Sequence, residues 1–96
     1  MFTKGAITIK WENNQIGGTE DKRVEAFVSD KGIAYHKVPG KETYTLTHVA
    51  TGRAIVANLP YERIATLAER VESLTDWTAT TIEKQVYQQV LQLLHS

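Results

Sequence analysis

The stretch from Val24 to Leu59 limits most strongly what this chain can fold into. Three turn signals, Ser29-Asp30-Lys31-Gly32, Pro39-Gly40 and Ala50-Thr51-Gly52, divide it into runs rich in β-branched and aromatic residues. That punctuation predicts a four-stranded antiparallel meander.

The turns also predict a register. In Ser29-Asp30-Lys31-Gly32 the glycine stands where a type I turn followed by a left-handed residue needs one, the three-residue hairpin loop with a bulge. This loop sets Phe27 opposite Tyr35, Glu25 opposite Lys37, and Val24 and Val28 opposite Val38 and Ala34. An aromatic pair and an ion pair arise together, each worth roughly 0.2 to 1 kcal/mol across strands. With Pro39-Gly40 as the central residues of the next turn, Tyr35 falls opposite Tyr44 and Lys37 opposite Glu42. A two-residue closure at Thr51-Gly52 would ask β-branched Thr51 for a positive φ, so the third hairpin is assigned to Ala50-Thr51-Gly52 with Gly52 left-handed. Leu46 then faces Val56, and His48 faces Ala54.

Period-two alternation divides the residues between two faces. One carries an aromatic row, Phe27, Tyr35 and Tyr44, beside a charged row, Glu25, Lys37 and Glu42, together with Ile33, Leu46, His48 and Val56. The other carries Val24, Ala26, Val28, Ala34, His36, Val38, Thr43, Thr45, Thr47, Val49, Ile55, Ala57 and Leu59. Its small side chains let a helix approach closely, so the helices are assigned to this second face and the aromatic row to the outside.

Before the meander, Ile7, Ile9 and Trp11 alternate with polar residues and predict a first strand over 6–12, with Trp11 closing the edge of the core. Asn13 to Asp21 is read as a polar, glycine-bearing loop without phosphate-binding spacing. After the meander, Asn58-Leu59-Pro60-Tyr61-Glu62 reads as a helix start with Asn58 as cap, and Ile64, Leu67, Ala68, Val71 and Leu74 follow at helical spacing. Thr80-x-x-Glu83 fits a capping box for a second helix, and Trp77 lies in the joint between the two as a plug. On that last helix Ile82, Val86, Tyr87, Val90, Leu91, Leu93 and Leu94 spread over about half the circumference, wider than one neighbour requires. The expected fold is α+β: an antiparallel meander sheet of about five strands followed by two C-terminal helices packed on one face, all within one domain over residues 1–96.

Lysine plus arginine equals aspartate plus glutamate, a zero balance that argues against a polyanion as main partner. The chain has no cysteine, which rules out disulfides and thiolate sites, and no long apolar run is visible, so a cytoplasmic protein without a membrane role is expected. His36, His48 and His95 show no ligand spacing, and Ser29, Ser73 and Ser96 show no nucleophile elbow. No catalytic residue, metal site or cofactor is therefore assigned.

The function expected is a small non-catalytic protein-interaction module, self-associating as a homodimer or meeting an unidentified protein partner. Its candidate binding residues are Phe27, Tyr35, Lys37, Tyr44 and His48 on the sheet, and its candidate oligomer interface is Tyr87, Val90, Leu91 and Leu94 on the last helix. The alternative is single-stranded nucleic-acid binding by base stacking on the same aromatic face. The layout is similar in outline to single-strand-binding coactivators and RNA-recognition folds, but it has neither an RNP-type signature nor a basic tract, and its charged row holds two Glu to one Lys.

Overall fold

The computed structural model describes residues 2–13, 18–38 and 40–95, with the side chains of 10–13, 19 and 20 outside that description. Five strands run in chain order, β1 (Phe2–Asn13), β2 (Gly18–Ser29), β3 (Ile33–Lys37), β4 (Tyr44–His48) and β5 (Arg53–Leu59), and each pairs antiparallel with the next. Two helices follow, α1 (Tyr61–Glu72) and α2 (Lys84–Leu94). The α+β meander with C-terminal helices on one face is thus the fold the sequence predicts. Among the described residues no helix is long and apolar enough to cross a membrane.

The first predicted turn forms as expected. Gly32 is left-handed at φ 100°, and Phe27 pairs with Tyr35 and Val28 with Ala34. The ladder between β2 and β3 stops there, so Glu25 and Lys37 do not pair.

The second turn differs by two residues. Val38 donates its N–H to the Thr43 carbonyl at 2.8 Å, Tyr35 pairs with Leu46, and Tyr44 faces Lys37. A slip of two preserves which side each residue faces. Lys37 still meets Glu42, at 3.5 Å across the loop.

In the third hairpin Gly52 is left-handed at φ 72° and Leu46 faces Val56, as expected. His48, however, faces Arg53, because β5 carries two bulges: Tyr44 and Leu46 pair with Leu59 and Val56, and Thr47 with Ala54. Asn58 takes φ 64° at the first of these, so it belongs to the strand, and Pro60 occupies the cap position of α1. Asparagine tolerates that left-handed conformation better than most residues. The bulge brings Leu59 onto the same side as Val56, among the residues packed on the main core.

The assignment of faces is overturned. Ile64, Leu67, Ala68 and Val71 of α1, with Val86 and Val90 of α2, bury against Ile33, Tyr35, Leu46 and Val56, the face that carries the aromatic row. Large side chains are the reason: each one buried contributes about 1.5 to 3 kcal/mol, more than close approach to alanine and threonine can offer.

The small-residue face has another cover. Ile7 and Ile9 of β1 are buried with Ala26 and Ala34 in a second cluster. In a flat sheet β1 and β5 would stand about 19 Å apart, at roughly 4.8 Å per step. Yet Ile9 lines one cavity with His36, Thr47, Ala54 and Ala57, so the sheet curls and the long first hairpin arches over its own concave side. That hairpin is longer than expected, since β1 begins at Phe2 and β2 at Gly18, and much of the segment read as a loop is strand. The expected role of Trp11 lies outside the described side chains.

Candidate functional site

The structure distributes the predicted residues over three places: a joint beneath the helices, a cleft beside β2, and the outer face of α2.

At the joint, Trp77 is fully buried, as the plug reading expects. Its indole N–H donates to the Val71 carbonyl at 2.8 Å, a second bond to an oxygen that also accepts the Leu74 N–H at the end of α1. Asp76 accepts from the backbone N–H and the hydroxyl of Thr78 at 3.0 and 2.6 Å, and these bonds hold its carboxyl below the usual range. His48 lies here too, at 3 % exposure. Its Nε2 approaches the carbonyls of Trp77 and Ala79 at 2.7 and 2.8 Å, and since carbonyls only accept, Nε2 carries a proton. The ring therefore ties the end of β4 to the segment between the helices. His48 is a structural staple and has no place in an exposed binding row. Gly32 completes the joint, with its backbone directly against that of Trp77.

The cleft opens where the β2–β3 ladder stops. It encloses about 240 Å³ and is lined by Lys4, Glu25, Ala26, Phe27, Tyr35, His36, Lys37 and Tyr44. Four of the five predicted binding residues thus meet in one cavity, although the aromatic row is not an open platform. Tyr35 is 7 % exposed, and Phe27 and Tyr44 are half-buried. Phe27 stacks on Tyr35 with centroids 5.2 Å apart, and Tyr61 of α1 sets its edge against Tyr44 at 5.3 Å. Burial, with the Tyr61 hydroxyl adding to it, pushes the Tyr35 phenol above its ordinary value. Lys4 escaped the sequence reading because it enters the cleft from a strand that pairs Lys4 with Phe27, a register that no turn signal in the sequence revealed.

On α2 the expected interface divides. Val90 is 2 % exposed and belongs to the core, which corrects its assignment to an interface. Tyr87 and Leu91 are exposed at 39 % and 54 %, and Leu94 is half-buried. Glu83 holds the cap position of α2 itself, so the predicted capping box does not form.

His36 faces the concave side, where its Nδ1–H donates to the Lys37 carbonyl at 3.3 Å and its Nε2 accepts from the Thr47 hydroxyl at 2.9 Å. Burial holds its pKa below the ordinary 6.5, against a smaller opposing effect of the Lys37 carbonyl. The unfolded chain therefore takes up this proton first. The contribution of neutral His36 is complete above about pH 6.5 and drains away as pH falls toward the folded value. Melting temperature should fall between about pH 7.5 and pH 5, and His36→Gln, which cannot take up that proton, should flatten this part of the slope.

Among the described residues no three His, Asp or Glu side chains are grouped to hold a metal ion. Comparison with known proteins returns no match, whether to a family model, a curated protein or a solved structure.

Proposed function

We propose that this chain is a small non-catalytic interaction module that pairs with a second copy of itself through the outer face of α2. The observation that carries this reading is Leu91, exposed at 54 % one helical turn from Tyr87, itself exposed at 39 %. The rest of that face favours a second copy as occupant. Lys84 and Gln88 border the pair, and no carboxylate lies between Lys84 and Leu94. Two such helices laid antiparallel about a two-fold axis would set Tyr87 of one protomer against Leu91 of its partner, without like charges meeting at the centre. A cytoplasmic setting accompanies this proposal on the cysteine-free composition alone.

Single-stranded nucleic acid is the weaker reading, because stacking needs open ring faces and Tyr35 is buried.

The test is light scattering across a concentration series. The wild-type chain should rise from monomer to dimer mass. Leu91→Glu, which sets two carboxylates close together across the proposed contact, should shift the midpoint at least about tenfold toward monomer. Circular dichroism of the variant should be unchanged, since Leu91 lies outside the core. A wild-type chain that scatters as a monomer at every concentration would remove the proposal.

A further inference from the structure

The cleft beside β2 stands apart from the α2 face and carries an inference of its own. Two neighbouring strands would ordinarily continue their ladder, yet β2 and β3 pair only at Phe27–Tyr35 and Val28–Ala34. The pairs that would follow, Ala26–His36 and Glu25–Lys37, are missing, and the cavity occupies that position.

The chemistry of the walls is mixed in a specific way. Phe27, Tyr35 and Tyr44 provide aromatic surface. Lys37 is engaged by Glu42 at 3.5 Å. Among the described residues no ion pair engages Lys4 or Glu25. Lys4 stands opposite Phe27, and Glu25 opposite Ala6, so the two charges are diagonal neighbours on one face of the hairpin. Such neighbours lie roughly 7 to 8 Å apart at the backbone, within reach of two long side chains, and with no described ion pair joining them both charges stay available to one small molecule in the cleft.

From this geometry we propose that the cleft binds a free aromatic α-amino acid. The ring lies against Phe27 and Tyr44, the ammonium meets Glu25, and the carboxylate meets Lys4. A ligand with one ring and one head group also suits the size: about 240 Å³ is below the roughly 300 Å³ at which sites for larger ligands begin. Each charged contact is a charge-assisted bond, so removing one charge from the ligand should reduce affinity about tenfold or more.

The experiment is an amide-resolved NMR titration of the full chain with L-phenylalanine, phenylacetate and phenethylamine. L-phenylalanine should shift the amides of Glu25–Phe27 and Tyr35–Lys37 saturably, and should bind at least tenfold more tightly than either analogue, each of which lacks one charge. Glu25→Gln should reduce L-phenylalanine to the affinity of phenylacetate, and Lys4→Gln should reduce it to that of phenethylamine. Both residues are exposed, so melting curves of the variants should match the wild type. Equal binding of all three compounds, an affinity untouched by both substitutions, or no saturable shift at millimolar ligand would each overturn the assignment. Because the readout is local to the cleft, it is independent of whether α2 self-associates.

Discussion

Gly32→Ala should lower the stability of this domain by about 3 to 5 kcal/mol, combining the cost of a left-handed alanine with that of overpacking. A domain of this length has only about 5 to 14 kcal/mol in total, so the variant loses a large share of its stability. Gly32 sits at φ 100°, and a Cβ there would lie 2.5 Å from the Trp77 carbonyl carbon and 2.6 Å from the Thr78 nitrogen. These are backbone atoms, which cannot rotate aside as a side chain can. The urea midpoint measures the effect, and Gly40→Ala supplies the control. Gly40 is also left-handed, at φ 77°, but nothing lies within 4 Å of the added carbon. Its loss should be limited to about 1 to 2 kcal/mol of conformational strain. Equal losses in the two variants would mean that the close approach at the joint is not what makes Gly32 necessary.

Trp77→Ala should cost about 3 to 5 kcal/mol, the range for removing a large buried aromatic side chain. The residue is fully buried, with the rings of His48 and Tyr87 edge-on at 6.1 and 6.2 Å. Its loss would empty the space that joins sheet, α1 and α2. Trp77→Phe should be far milder in hydrogen bonding: the Val71 carbonyl keeps its bond from the Leu74 N–H at 3.1 Å, so losing the indole donor costs about 1 kcal/mol beyond repacking. Chemical denaturation orders the three proteins. Amide exchange in the last turn of α1 should be the first signal to rise in the alanine variant, since the emptied space lies directly against that turn.

The turns were legible where one residue type is nearly obligatory. Gly32 and Gly52 both occupy positive φ, and the pairs Phe27–Tyr35 and Leu46–Val56 follow from them. The Pro39-Gly40 link was less informative, because such a dipeptide is compatible with more than one loop length, and the pairing moved by two residues. The bulges of β5 left only a faint trace in Asn58, which suits both a helix cap and a left-handed strand position.

Which face the helices cover was misread for an energetic reason. Small residues permit a close approach, but Ile33, Tyr35, Leu46 and Val56 bury more area, and area decides. The sequence also concealed the cover for the opposite face. That cover depends on the length and curl of the β1–β2 hairpin, and curl comes from the whole sheet rather than from a local pattern. The candidate cleft was half-visible for the same reason: Phe27, Tyr35, Lys37 and Tyr44 are drawn together by local register, whereas Lys4 arrives through the first hairpin.

The irregular β5 has one more consequence. It is the last strand of the sheet, and such a margin ordinarily offers its free main-chain groups as a template on which another molecule can grow. Two bulges and the left-handed Asn58 break that template into pieces too short and too twisted to be copied. The kinks that spoil a tidy pairing with β4 thus protect the protein, on this side, against fibre-like growth.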